Sequence, residues 1–478
     1  MVNLRIPGPT PIPKDVLQTS AAPMMNHRGP EFAQIIRRVT DGLNWVFGTN
    51  SDVLSLTTSG TGGLETAVVN TLSPGDKVLA CSIGSFGDRL RSIAKTYGAE
   101  IESYAVEWGE AIDPAEVGRR LDADKDIKAV MVTHNETSTG VTNPLEAIAK
   151  EVRSRDRLII VDAVSSMSSV PCPAERWGLD VVVSGSQKGW MVPPGLAFVW
   201  LSERAWAANA EAKMPRFYFD AAKTRDSLEK LQNPWTPAMT VYYSMDKAFE
   251  LMRAEGLEGI FTRHEAAGNY TRERVKSLGL KLVPVDERYA SNTVTAIWWP
   301  EGVDGKAISK KAREEHGVVL GGGQGKLEGK IFRIGHLGYF QHSDLVEALD
   351  VVEKLLAEAR YPPRPLSQRG QPPRCHRRTA VPRIESSPGG ERRGGCGSRA
   401  YGCRRPAPFE RVQNAIVPLH ERTQASGLGR SPFVLPWDGL QRLTIPARTL
   451  GGNFRRIARL WYVRLVYLRR TNAGGFPE

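Results

Sequence analysis

Short apolar runs punctuate the chain between residues 53 and 201. After a first apolar run at 53–56 (Val-Leu-Ser-Leu), strand-like runs occur at 78–81 (Val-Leu-Ala-Cys), 129–132 (Ala-Val-Met-Val), 158–161 (Leu-Ile-Ile-Val) and 181–183 (Val-Val-Val). Each is too short to be a helix and too continuously apolar to be a strand with one wet face. Such runs fit strands covered on both sides, which is how a mostly parallel sheet is built. Helix-forming stretches separate them, at 64–72, 85–97 and 147–153. The alternation predicts an α/β fold with its chemistry at the carboxyl ends of the strands.

Beyond residue 237 the pattern turns helical to about 277. Strands are then expected at 281–285 and 294–299, and helices at 308–316 and 343–360. This reads as a second, smaller α/β domain, and the chain up to 360 has no internal repeat. The last stretch is of another kind. Its 118 residues hold 14 Pro, 14 Gly, 22 Arg and no Lys, with a sustained apolar element only at 454–470. A disordered basic extension and an out-of-frame translation of GC-rich sequence both account for it, and no fold is assigned to it.

Charge sharpens that division. The 478-residue chain carries a formal +12, which on its own points to nucleic acid or an anionic membrane surface. Residues 361–478 carry +16 and residues 1–360 carry −4, so the cationic surplus belongs to the tail alone. Residues 455–470 mix Arg with Trp, Tyr and Leu and keep a surface-binding function open, but no nucleic-acid reading motif accompanies them. The start has no apolar signal core, and no run reaches the ~18–20 apolar residues that span a bilayer. The five cysteines form no regular framework, so a reducing, cytoplasmic setting is expected.

Three local features then carry chemistry. Thr58-Ser-Gly-Thr-Gly-Gly-Leu-Glu-Thr66 follows the first apolar run and opens a helix. Small residues let backbone N–H groups approach an anion, and the helix N-terminus favours it, so phosphate is the natural guest. Asp162 ends the run 158–161, where a carboxylate needs a cationic or hydrogen-bonding partner. Lys188 follows 181–183 within Ser184-Gly-Ser-Gln-Lys-Gly-Trp190, and burial there would make its amine nucleophilic. Singly, these are also what an ordinary turn, a capping Asp and a solvated Lys look like. In this order within one sheet, they supply what pyridoxal phosphate requires: an anion cradle, a carboxylate for the ring nitrogen and an amine for the aldehyde.

At that point the sequence resembles the class V, fold-type I aminotransferases, in the alanine–glyoxylate and serine–glyoxylate branch. The likeness runs from about residue 3 to 360 and rests on Pro7-Gly-Pro-Thr-Pro, Asn26-His-Arg, Ser59-Gly-Thr-Gly, Thr133-His-Asn-Glu-Thr-Ser-Thr-Gly, Val161-Asp-Ala-Val, Ser184-Gly-Ser-Gln-Lys and Phe332-Arg-Ile-Gly. The resemblance implies a segment 1–19 wrapping a partner subunit, a large cofactor domain at 20–263 and a small domain at 264–360, in a homodimer with shared sites.

It further implies that Lys188 forms the Schiff base and then moves the substrate proton. Asp162 would pair with the ring nitrogen, Val164 would pack under the ring and Phe86 would stack on it. Thr61, Gly62, Gly63 and Gln187 would hold the phosphate, with Thr236 reaching it from the neighbouring subunit. Ser138 would lie near the cofactor hydroxyl. Thr139 and Glu136 stay open between contact and turn roles. Arg333 would clamp the substrate carboxylate, with the Gly8 backbone beside it. Asn233 stands where many relatives carry Tyr, a departure that resembles the bacterial branch containing soluble hydrogenase small subunits.

The expected substrates are an amino donor, alanine or serine, and glyoxylate or another 2-oxo acid, with no metal, nucleic acid or membrane partner. Phosphoserine and aminoethylphosphonate transaminases are the nearest alternatives. A cysteine desulfurase is disfavoured, because residues 201–360 contain no Cys for the nucleophile.

Overall fold

A computed structural model describes residues 2–361. Apart from Tyr361, the Arg-rich tail and its apolar element at 454–470 lie outside the described residues, so the expectations placed on them are not addressed by the structure.

The larger sheet has seven strands: β2 (Leu54–Thr57), β3 (Lys77–Ser82), β4 (Glu100–Ala105), β5 (Ile127–Thr133), β8 (Leu158–Asp162), β9 (Val181–Gly185) and β10 (Leu196–Leu201). Their order is β2-β10-β9-β8-β5-β3-β4. Only β10 runs against the rest, pairing antiparallel with β2 on one side and β9 on the other. Every residue of β8, β9 and β10 is buried, as a sheet covered on both faces requires. Its core continues into the amphipathic helix Pro30–Phe47, which buries Phe32, Ile36, Val39, Leu43 and Phe47.

The smaller sheet joins β1 (Asn3–Arg5), β12 (Val318–Gly322), β13 (Ile331–Gly335) and β11 (Val294–Trp298), in that order. Phe332 and Ile334 of β13 pack with Leu345, Leu349 and Val352 of the helix His342–Glu358 in a separate apolar cluster. A hairpin of β6 (Asn135–Glu136) and β7 (Val141–Thr142) follows β5.

The helices expected at 64–72, 85–97, 147–153, 308–316 and 343–360 form as Gly60–Thr71, Ser85–Thr96, Leu145–Arg153, Gly305–His316 and His342–Glu358. One expectation is corrected. Residues 281–285 make no strand; Leu282 forms a single bridge to Ile297, and the segment contains Pro284, whose missing N–H cannot continue a ladder. The segment expected to wrap a partner makes contacts within its own chain. β1 pairs in parallel with β12, Asn3 donates to Glu347, and Arg5 lies 3.7 Å from Asp344.

Candidate active site

Five strand ends of the larger sheet converge on one place. β2 leads through Ser59 into the helix Gly60–Thr71, β3 into the helix carrying Phe86, and β5 into the hairpin of Glu136 and Ser138. β8 ends on Asp162, and Lys188 lies three residues beyond the end of β9. This edge is where open parallel sheets hold ligands.

Ser59 caps the helix Gly60–Thr71 in an extended conformation without a side-chain hydrogen bond, leaving its first N–H groups open. Gly63 has a packing role as well. Its N–H already donates to the Ser59 carbonyl, and a Cβ there would lie 2.7 Å from Val183 Cγ1 and 3.0 Å from Ala197 Cβ. Gly63 thus also seats the helix on the sheet, and the donors without a partner belong to Gly60, Thr61 and Gly62. Gln187 faces the same space. Its Oε1 is buried with no partner among the described residues, and a Cβ placed on Gly185 would lie 3.1 Å from that oxygen and 3.5 Å from Gly60 N. An oxyanion would be met by the open helix donors and by the Gln187 amide through its Nε2 hydrogens, with the amide turned to present that end.

Asp162 is buried, accepts from Val164 N at 3.0 Å, and is pushed up to about 6 by burial, with Glu136 adding to the rise and Lys188 and Arg89 opposing it. Val164 itself lies against Gly60, where a Cβ would come within 2.9 Å of its Cγ2. Burial brings the Lys188 amine down to about 8, helped by Arg333 and resisted by Asp162. Lys188 Nζ donates to the Pro7 carbonyl at 2.5 Å, and the Thr10 hydroxyl donates to the Lys188 carbonyl at 3.0 Å. The N-terminal segment thus closes over the lysine within one chain.

Arg333, on β13, is buried and lowered to about 10 by desolvation, which Glu136 opposes. Its Nε donates to Gly322 O and its Nη1 to Thr137 O, both at 2.8 Å. Nη1 also reaches Gln324 Oε1 at 3.4 Å, so the guanidinium is braced through Nε and Nη1, and Nη2 alone makes no hydrogen bond among the described residues. Phe86 is half-buried, with the Arg89 guanidinium 4.8 Å from its ring centroid.

Thr236 and Asn233 lie on the segment before the helix Met239–Glu255. Thr236 is exposed and hydrogen-bonds to nothing among the described residues. Asn233 donates to Tyr242 Oη at 2.8 Å, which holds it within its own chain. Sequence reasoning missed the Pro7, Thr137 and Gly322 carbonyls, because a backbone acceptor leaves no residue-type signal. The role of Glu136 was visible only as membership of a motif.

The pieces fit pyridoxal phosphate. An open helix N-terminus, with the Gln187 NH2 able to turn toward it, suits its phosphate, Asp162 its ring nitrogen, and an amine lowered to about 8 its aldehyde. No helix among the described residues is long and apolar enough to cross a membrane.

The sequence profile of class V aminotransferases matches residues 3–327. The chain is 44% identical over 361 residues to the soluble hydrogenase small subunit of Synechococcus sp. (strain PCC 6716), covering 75% of this chain and 94% of that protein. It is 36% identical to the serine–glyoxylate aminotransferase of Methylorubrum extorquens, covering 74% and 91%. Among solved structures, the alanine–glyoxylate aminotransferase of Nostoc sp. aligns with a TM-score of 0.72 at 30% identity, covering 74% of this chain and 95% of that one.

Proposed function

The chain belongs to the class V aminotransferase family, and from that premise we propose that it uses pyridoxal phosphate to move an amino group from alanine or serine to glyoxylate or another 2-oxo acid. The observation that carries this reading is the placement of Lys188: a half-buried amine, lowered to about 8, at the same sheet edge as Asp162 and the open helix end. Substrate classes named for its relatives support the choice of donor and acceptor.

Bound there, pyridoxal phosphate supplies an electron sink for the bond being broken at the substrate α-carbon. The protein's own groups do the rest. Gly60, Thr61, Gly62, Gly63 and Gln187 would hold the phosphate, and Asp162 would favour a protonated ring nitrogen. Lys188 Nζ, as a free amine, would take the α-proton, a task suited to an amine already shifted toward neutrality. The Nη2 of Arg333 would receive the substrate carboxylate, and the carbonyls bracing Nε and Nη1 fix the direction of approach. Phe86 offers a flat face for stacking. Exposed Thr236 fits a phosphate contact delivered to a second copy of the chain, in a homodimer.

The test is to load the full-length protein with pyridoxal phosphate, record its visible absorption and screen amino donors against glyoxylate. A visible band lost in Lys188→Ala, with turnover of alanine or serine, is expected. A band that persists unchanged in Lys188→Ala sinks the assignment.

A further inference from the structure

Glu136 is fully buried and accepts four hydrogen bonds from two separate pieces of the site. Its Oε2 accepts from Phe86 N at 2.9 Å and Gly87 N at 3.1 Å; its Oε1 accepts from Ser138 N at 3.0 Å and Ser138 Oγ at 2.6 Å. The helix Ser85–Thr96 has Gly84 at its N-cap, with no side chain to satisfy its first donors. The carboxylate of Glu136 serves instead, arriving from β6. Gly84 permits this: a Cβ there would lie 2.4 Å from Ser138 Oγ and 2.5 Å from Glu136 Cγ.

The Ser138 hydroxyl is constrained in a particular way. Its one proton goes to Glu136, and it accepts from Ser85 N at 3.0 Å. With Glu136 ionised, Ser138 faces any further partner only as an acceptor. With a proton on Glu136, that hydrogen bond runs from the carboxyl to the serine, and the serine proton becomes available to donate. The charged groups that interact with Glu136 are Asp162 at the end of β8 and Arg333 on β13. All are members of the same site.

We propose that Glu136 is a positioning residue of the transamination site, tying the Phe86 end of its helix to Ser138 and setting whether the Ser138 hydroxyl donates or accepts toward the bound cofactor. The proposal rests on the pyridoxal phosphate reading above. In that reading Phe86 stacks on the ring and Ser138 meets its hydroxyl, so one buried carboxylate governs both contacts. Glu136→Gln cannot reproduce the arrangement, because its NH2 must face donors on one side or the other.

The experiment titrates the visible band of the full-length protein loaded with pyridoxal phosphate, and measures cofactor affinity by dilution. Glu136→Gln removes a buried negative charge and, with its NH2 turned toward Ser138, also releases the Ser138 proton; both effects disfavour the protonated chromophore. Its pH midpoint is expected to fall by about 0.5–1 unit, and cofactor binding to weaken about threefold or more. In a Ser138→Ala background the same substitution should move the midpoint by no more than half as much, since the two groups act as a pair. A purely structural residue would lower thermal stability and leave the midpoint in place. An unchanged midpoint in Glu136→Gln, or an equal shift in both backgrounds, overturns the proposal. Should Glu136→Gln fail to fold, Ser138→Ala alone decides, since it leaves Glu136 three backbone donors: a midpoint identical to the unmutated protein overturns the pairing, and a displaced one supports it. Absence of any visible band in the unmutated chain would instead defeat the cofactor reading, a result read before any variant is made.

Discussion

Gly8 lies so close to Lys188 that a Cβ on it would fall 2.6 Å from the amine nitrogen and 2.6 Å from Cδ. The contact joins the N-terminal segment to the lysine three residues beyond β9, and the neighbouring Pro7 carbonyl accepts the lysine's hydrogen bond. The two ends of this relationship are 180 residues apart in sequence, so nothing local in either motif reveals it.

Gly8→Ala should therefore displace Lys188. Gly8 has φ +118, a region that side chains rarely adopt, and the added methyl meets the lysine side chain at under 3 Å. The strain is expected to cost about 1–3 kcal/mol, with slower and weaker loading of pyridoxal phosphate. Thermal denaturation and titration with cofactor check both parts. Normal loading by Gly8→Ala would show that the lysine moves aside freely.

The connection bearing Lys188 is anchored from below by Trp190. That side chain is fully buried, donates from Nε1 to Ser184 Oγ at 2.9 Å, and packs on Phe47, Phe198 and Phe249. Trp190→Ala should destabilise the protein by about 3–5 kcal/mol. Trp190→Phe should cost about 1–3 kcal/mol, because the buried Ser184 hydroxyl loses its partner. Denaturant melts of the full-length protein measure both, and a near-neutral Trp190→Ala would contradict the packing.

These two anchors show where sequence reading succeeds and where it stops. The runs at 78–81, 129–132, 158–161 and 181–183 are legible as strands because burial on both faces leaves no polar positions in them. β4 is not, since this edge strand reads Glu-Ile-Glu-Ser-Tyr-Ala and exposes several of those side chains. β1 is only three residues long, and its partner β12 is more than 300 residues away. In the site, Asp162 and Lys188 stand out because a charged residue at the end of an apolar run demands explanation. Gly63 shows the opposite limit: a glycine packed tightly between helix and sheet looks the same in sequence as one needed for an anion. The bracing of Arg333 by Thr137 O and Gly322 O is invisible because carbonyls belong to every residue.

Arg333 offers a sharp test of that bracing. With Nε and Nη1 committed to carbonyls, Arg333→Lys keeps the charge but loses the planar fork and leaves Thr137 O or Gly322 O without its donor. Loss of a charged hydrogen bond to the substrate carboxylate is worth about 1.5–3 kcal/mol, or roughly a 10- to 150-fold rise in KM. Arg333→Lys should fall in that range and Arg333→Ala at or beyond its upper end, each with the cofactor still bound. Steady-state kinetics with alanine and serine decide it, and unchanged KM values in Arg333→Ala would remove the residue from substrate binding.

Before cofactor binds, the site should also write itself into the pH dependence of stability. Asp162 titrates at about 6 in the folded chain against 3.8 for the ordinary group. Between those values the native state holds a proton that the unfolded chain has released, so stability falls as pH rises from about 4 to about 6 and stays reduced above. Lys188 acts in the other window. It titrates at about 8 when folded against 10.5 ordinarily, so between about 8 and 10.5 the unfolded chain holds the extra proton and stability rises with pH. The cofactor-free protein is thus penalised by both groups near pH 7. Asp162→Asn should remove the acid limb, gaining roughly 2–3 kcal/mol at pH 7 and nothing at pH 4. Glu136, also pushed up by burial, is retained in that variant and adds a residual slope of the same sign. Urea melts of cofactor-free wild type and Asp162→Asn across pH 4–9 separate the contributions. A gain of equal size at pH 4 and pH 7 would show that the substitution acts through packing and not through the buried charge.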